Sequence, residues 1–473
     1  MKYISTRGDA PVLSFDEVLL TGLARDGGLY LPERWPKFSN ADVAALAGRS
    51  FSGIAAAVIR PFVGDTITPS DLSRMCDEAY AGFGHQSVAP VLEIAPNRFV
   101  CELFHGPTLA FKDIAMQLLA RMMDHVLAER GGRATIVGAT SGDTGGAAIE
   151  AFRSSERANV VILYPKGRVS DVQRRMMTTP TEASVATLEI DGTFDDCQAL
   201  VKAMFNDQAF RDRVSLSGVN SINWARIAAQ ITYYFAAGVA LGAPHRDVSF
   251  VVPTGNFGDI FAGLAAKRMG LPIDRLVIAS NDNDILPRTV ETGVYEKRGV
   301  VATTSPSMDI QVSSNFERYL FEVQGRNPEV VRNQMASLGQ SGRFEVYGGG
   351  PRLQAEFSAA AANEAEVAAA IRRTSAATGG YIVEPHTACA VHAADVVARA
   401  ETVTSPMILL ATAHPAKFPD AMEAITGTRP GLPERLAGIM KAEERFRPVA
   451  NDLKAVEAAV DEARASSGAG GAA

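Results

Sequence analysis

Residues 133–152 read RATIVGATSGDTGGAAIEAF, and the division of that stretch decides the fold. ATIVGA (134–139) is a short, nearly unbroken apolar run, as expected of a strand covered on both faces. Glycines and hydroxylated residues then interrupt it, and AAIEAF (147–152) resumes with helical character. Strand, glycine-rich loop and helix together are the repeating unit of a parallel α/β sheet.

The unit recurs on both sides. Downstream lie apolar strands NVVILYP (159–165) and SVATLEI (184–190), then a helix in FDDCQALVKAMFND (194–207). A long helix, NWARIAAQITYYFAAGVAL (223–241), precedes strand VSFVVPT (248–254), a helix from Asp259 and strand RLVIAS (275–280). Helix TACAVHAADVVARA (387–400) leads to strand MILLAT (407–412). Upstream, Ile114, Leu118, Met122 and Val126 recur every four residues, predicting a helix that starts at Asp113. FVCELFHGPT (99–108) predicts a short strand closed by a turn, and FSGIAAAVIRPFVGD (51–65) a helix that ends at Pro61. Four regions are expected: an N-terminal segment (1–112), a smaller mobile α/β domain (113–214), a larger α/β domain (215–430) and a helical C-terminal tail (431–473). The final ASSGAGGAA (465–473) reads as a frayed low-complexity end.

Composition narrows the function. The chain has 473 residues, 47% hydrophobic and 21% charged, enough for a large core in a soluble protein. A net charge of −7 with no dense basic stripe argues against nucleic acid. No apolar run is long enough to span a bilayer, and the N-terminus MKYISTRGDAP lacks a secretory core, so a cytoplasmic protein without membrane contact is expected. Cys76, Cys101, Cys197 and Cys389 form no CxxC pair, which speaks against disulfides and a structural metal.

Three loops stand where a strand hands over to a helix, the place where open α/β sheets bind ligands. In PTGNFGD (253–259), Gly255 and Gly258 let the backbone approach a ligand, and the following helix start attracts an anion. No Walker-type lysine follows, so the loop suits a single phosphate monoester rather than a nucleoside triphosphate. In ATSGDTGG (139–146), amides and the hydroxyls of Thr140, Ser141 and Thr144 offer a carboxylate or phosphate site. In LLATAHPAKFPD (409–420), Thr412 ends a buried strand where its hydroxyl can face a ligand ring, while His414 reads as structural. Each loop alone is as well explained by an ordinary turn or helix cap. GPTLAFKD (106–113) changes the balance by placing Lys112 after an apolar Leu-Ala-Phe. Snorkelling would explain a lone lysine there. A lysine, a phosphate cradle and an amide-rich loop together are the parts of a pyridoxal 5′-phosphate enzyme, in which the amine is masked as an imine with the cofactor aldehyde.

KYISTRG (2–8), GLARDGGLYLPE (22–33), GPTLAFKD, ATSGDTGG, PTGNFGD, SSNFERYLF (313–321), EPHTA (384–388) and TAHPAKFPD (412–420) together resemble the longer, bacterial and fungal branch of the threonine synthase family. The resemblance runs in order from the first residues to about Asp420. It implies the tryptophan-synthase β-like fold, fold type II of the pyridoxal-phosphate enzymes, with two parallel-sheet blocks and a helical N-terminal extension. It implies conversion of O-phospho-L-homoserine and water to L-threonine and phosphate by γ-elimination and β-replacement. By position, Lys112 is similar to the family's Schiff-base lysine, Gly255, Asn256, Phe257 and Gly258 to its cofactor-phosphate loop, and Thr412 to the hydroxyl facing the pyridine nitrogen. Asp143 stands where cysteine-synthase relatives carry an asparagine beside the cofactor 3′-oxygen. Thr140, Ser141, Gly142 and Thr144 are expected to host the substrate carboxylate. Lys166, Arg168, Asn315 and Arg318 are the candidates for the substrate phosphate. The branch resembles monomeric enzymes, with a homodimer the alternative. Three rival readings are a serine or threonine dehydratase of the same fold, a non-catalytic threonine-synthase-like binding protein, and a nucleotide-binding α/β protein, a reading that rests only on the glycine loops.

Overall fold

The computed structural model describes residues 1–468. Two parallel sheets carry the architecture, each covered by helices. The larger has six strands in the order Phe357–Ala361, Ile273–Ser280, Val248–Pro253, Met407–Ala411, Arg98–Glu102 and Val91–Ala95, parallel except for the last pair. The smaller has five parallel strands in the order Arg447–Val449, Val185–Ile190, Ala158–Pro165, Ala134–Ala139 and Leu216–Ser217. Strands Ala134–Ala139, Ala158–Pro165, Val248–Pro253 and Met407–Ala411 are buried along their whole length. Burial on both faces is why their sequences are continuous apolar runs rather than alternating ones.

The sheets do not follow the expected chain divisions. Strands Val91–Ala95 and Arg98–Glu102 precede Lys112 yet form one edge of the larger sheet. Leu216–Ser217 lies past residue 214 and belongs to the smaller one. The tail supplies a further edge strand, Arg447–Val449, before its helix Leu453–Gly468 packs Val456, Ala459 and Val460 on the smaller sheet. Of the low-complexity end, residues 469–473 lie outside the described residues.

Two helix limits differ from expectation. Helix Phe51–Val63 continues through Pro61. The proline removes only one bond in the last turn, while Phe62 and Val63 gain full burial. The helix after GPTLAF begins at Lys112 itself and runs to Glu129. The N-terminal segment also builds the site. Its hairpin, Tyr3–Ser5 with Tyr30–Pro32, is tied to the body by Thr6 and Arg7, which hydrogen-bond Glu317 at 2.5 and 3.0 Å.

Candidate active site

The carboxyl ends of both sheets open into one cavity of about 920 Å³. Ala139 and Thr140 reach it from the smaller sheet, Pro253, Thr254 and Thr412 from the larger, and Arg7, Asp26 and Leu29 from the N-terminal hairpin.

Local bonds explain how Lys112 arrives there. Segment 109–111 is pinned to the end of strand Met407–Ala411: the Phe111 amide donates to the Thr412 carbonyl at 2.8 Å, and the His414 amide to the Leu109 carbonyl at 3.0 Å. The Asp113 carboxylate accepts from the Thr108 amide at 2.8 Å and its hydroxyl at 2.6 Å, folding the turn back on itself. Gly106 makes this possible, since a Cβ there would sit 2.3 Å from that of Asp113. Burial pushes the Asp113 carboxyl up to about 6. Lys112 is thereby the first residue of its helix and only 9% exposed. Its Nζ lies 3.6 Å from Oδ2 of Asp143 and 4.7 Å from the centre of the Phe111 ring. Burial lowers the Lys112 amine from its ordinary range, an effect that nearby Asp143 opposes and that Lys417 and Arg226 reinforce.

Loop 140–145 is folded around Thr140, whose Oγ1 accepts from the amides of Gly142 and Gly145, both at 2.9 Å. Gly142 has φ 132°, and a Cβ on it would strike the Gln173 side chain at 2.4 Å. That close approach lets Gln173 Nε2 donate to Asp143 Oδ1 at 3.0 Å. Burial would raise the Asp143 carboxyl, but Lys417 and Lys112 hold it far below the usual carboxylate range.

The second glycine loop is braced from outside. Ser313 Oγ donates to the Gly255 carbonyl at 2.6 Å, and Asn315 donates through its amide and Nδ2 to the Asn256 carbonyl at 3.0 and 3.1 Å. Phe257 takes a left-handed φ of 62°, strain held by the surrounding rings of Phe316 and Phe357. A Cβ at Gly255 would lie 2.7 Å from the Ser307 carbonyl oxygen. Ser307 in turn is held by His386, whose Nε2 accepts its amide at 3.2 Å while Nδ1 donates to buried Glu384 at 2.7 Å. The helix that starts at Gly258 lacks a side-chain cap, so its first-turn amides remain available to a ligand, and at the Asp143 helix, where Thr140 takes the Gly145 amide, those of Asp143 and Thr144 do.

Lys112, Thr140, Ser141, Asp143, Thr144, Gly255, Asn256, Phe257, Gly258 and Thr412 therefore line a single cavity, and Gly142 shapes one of its loops. The four expected phosphate ligands do not join them. Lys166 and Arg168 are exposed in the turn after strand Ala158–Pro165, away from the cavity lining. Arg318 is fully buried, with Nε donating to the Tyr30 carbonyl at 2.9 Å and a terminal nitrogen to the Ile222 carbonyl at 2.6 Å. Its other terminal nitrogen bonds the Asn315 side chain, so both residues are spent on structure. His414 is structural as expected: its Nδ1 accepts the Ala416 amide at 3.1 Å, and burial lowers it to about 4.

Arg226 and Lys417 were not foreseen. Arg226, near the start of helix Trp224–Ala240, lines the cavity at 2% exposure with its Nε unpaired. Burial lowers its guanidinium to about 10. A buried guanidinium in a cavity wall, with only its bond to the Val219 carbonyl among the described residues, has the chemistry to receive an anion. Lys417 is 1% exposed, and its Nζ lies 2.6 Å from Asp143 Oδ1 and donates to the Thr108 carbonyl at 2.8 Å.

The residues present fit pyridoxal phosphate. A buried amine faces a cavity whose wall carries the uncapped Gly258 helix start, with a hydroxyl residue, Thr412, between strand and lysine turn.

Comparison with known proteins agrees. Residues 2–80 match the family described as "Threonine synthase N terminus", 96–413 "Pyridoxal-phosphate dependent enzyme", and 387–460 "Threonine synthase, C-terminal". The threonine synthase of Pseudomonas aeruginosa is 48% identical over 98% of each chain. The crystal structure of the pyridoxal-phosphate-bound threonine synthase from Brucella melitensis superposes with a TM-score of 0.94 at 57% identity, covering 98% of this chain and 99% of that one. The yeast threonine synthase structure gives a TM-score of 0.91 at 37% identity, covering 98% and 99%.

Proposed function

The chain belongs to the threonine synthase family of fold type II pyridoxal-phosphate enzymes, and on that premise we propose how its own residues carry the reaction. Its activity is that of a pyridoxal-phosphate-dependent lyase, threonine synthase. The substrate we assign is O-phospho-L-homoserine, converted with water to L-threonine and phosphate.

Lys112 would hold the cofactor aldehyde, the amides of Gly255 to Gly258 its phosphate, Thr412 the ring nitrogen and Asp143 the ring-oxygen side. When bound, pyridoxal phosphate supplies the electron sink that makes the substrate α-proton acidic. Lys112 Nζ takes that proton and later returns one to the same carbon. The hydroxyls of Ser141 and Thr144 and the amides of Asp143 and Thr144 at the helix start orient the substrate carboxylate, with Gly142 and Thr140 shaping their loop. Arg226, in the cavity wall, takes the phosphate of the substrate, charge assisting the bond. The block built on the smaller sheet closes over the larger one and keeps out early water.

The observation that carries this reading is the buried Lys112 amine in the same cavity as the braced Gly255 loop. The test follows threonine and phosphate together from phosphohomoserine. Equal molar yields are expected, and a faster reaction on serine or threonine would favour a dehydratase.

A monomer is the working unit we assign, from the resemblance to the branch of monomeric enzymes. No helix among the described residues is long and apolar enough to cross a membrane. Four free, buried cysteines support a cytoplasmic location.

A further inference from the structure

Two lysines share one carboxylate in this site, and they share it unequally. Lys417 Nζ approaches Asp143 Oδ1 at 2.6 Å and has a second acceptor, the Thr108 carbonyl, at 2.8 Å. Lys112 Nζ stands 3.6 Å from Oδ2, beyond hydrogen-bond range. All three side chains are buried, with Lys417 the most enclosed. Two ammonium groups and one carboxylate leave an unbalanced positive charge in a medium that disfavours it, so one lysine must shed a proton. The ammonium is better hosted where it has two close oxygens.

We propose that Lys417 is a positioning residue: by occupying Asp143 it leaves Lys112 as the lysine that gives up its proton. Other charges around Lys112 support the same outcome. Arg226, on the helix Trp224–Ala240, adds a second unpaired positive charge. Asp259, on the helix Gly258–Met269, also faces Lys112, but it accepts hydroxyls from Tyr233 at 2.5 Å and Tyr234 at 2.9 Å, and burial raises it to about 6. Asp113, on the helix of Lys112, is turned to Thr108 and senses Lys417.

The consequence is chemical. Only a neutral amine can add its lone pair to an aldehyde carbon; the carbonyl oxygen then leaves as water with the two N–H protons, and a C=N bond remains. Without Lys417, Asp143 would pair with Lys112 and keep it charged. The inference rests on Lys112 being the cofactor-bearing lysine, which borohydride trapping tests separately.

The experiment strips the full-length enzyme of cofactor and reloads it with pyridoxal phosphate from about pH 6 to about pH 10, following capture by visible absorbance. In the wild type the rate should reach its plateau well below the ordinary lysine range near ~10.4. Lys417→Met should move the midpoint up by about one to three pH units, because the freed carboxylate stabilises the Lys112 ammonium. Lys417→Arg, which keeps the charge, should restore the wild-type profile. A folded Lys417→Met protein with an unmoved midpoint overturns the proposal while leaving Lys112 as the anchor, whereas trapping on Lys417 removes both. If Lys417→Met does not fold, lysine ¹⁵Nζ shifts of the cofactor-stripped wild type decide, with Lys417→Arg assigning the signal. A charged Lys417 beside a neutral Lys112 supports the proposal, and the reverse contradicts it.

Discussion

The loop after Ala139 and the loop after Pro253 both leave a buried parallel strand and both open a helix whose N-cap residue supplies no side-chain cap. Their supports differ. The first is closed by Thr140 on its own amides and held by Gln173 from the neighbouring helix. The second is clamped by Ser313 and Asn315, and indirectly by His386 through Ser307, all remote in sequence. A loop fixed from several directions is preorganised for a group that stays, as the cofactor phosphate we assign to it would. A loop tied mainly within the smaller block can move with it, as a substrate that binds and leaves at every turnover requires. A strong tie from it to the larger block is the Asp143–Lys417 pair.

Variants can break this contrast, and Lys112→Ala should have the largest effect. In the roles proposed for Lys112 it removes both the cofactor anchor and the proton carrier, so turnover should fall about 10⁴-fold or more while circular dichroism is unchanged. Arg226→Ala comes next. Loss of a buried charge-assisted bond predicts a KM for phosphohomoserine raised about 10- to 100-fold, with cofactor binding kept. An unaltered KM would remove Arg226 from the substrate site.

Gly255→Ala should weaken cofactor binding about tenfold, because the new methyl meets backbone that cannot yield. Fluorescence titration of the stripped protein reads it. Smaller still are Ser313→Ala and Gln173→Ala, each removing about 1 kcal/mol of hydrogen bonding, or about fivefold. Ser313→Ala should loosen cofactor retention and spare KM; Gln173→Ala, which frees the Gly142 turn as well as Asp143, should raise KM more than it loosens retention. If both variants shift the same parameter most, the division of labour between the loops is wrong.

The strands and loops were legible because a strand buried on both faces must be written as a continuous apolar run, and a close backbone approach must be written with glycine. ATIVGA, VSFVVPT and MILLAT carry that signature, and the Gly142 and Gly255 contacts show what the glycines permit. Edge strands did not carry it. Arg447–Val449 has three residues, largely exposed, and Phe357–Ala361 is written FSAAA. Charged groups were harder. Arg318 looked like a phosphate ligand, but its guanidinium closes three segments of the fold together. Arg226 is an isolated cation in an otherwise apolar helix, a pattern that could have been flagged because burial of such a residue needs a partner. Lys417 stood inside a motif already quoted, yet only the folded chain brings it to Asp143, 274 positions earlier by number.

The central claim is that the buried amine of Lys112 carries the cofactor. Borohydride reduction of the purified enzyme followed by peptide mass analysis tests it directly. The account predicts one phosphopyridoxyl adduct, on the peptide containing Lys112. An adduct on another lysine, or none in an enzyme that still makes threonine, would contradict it.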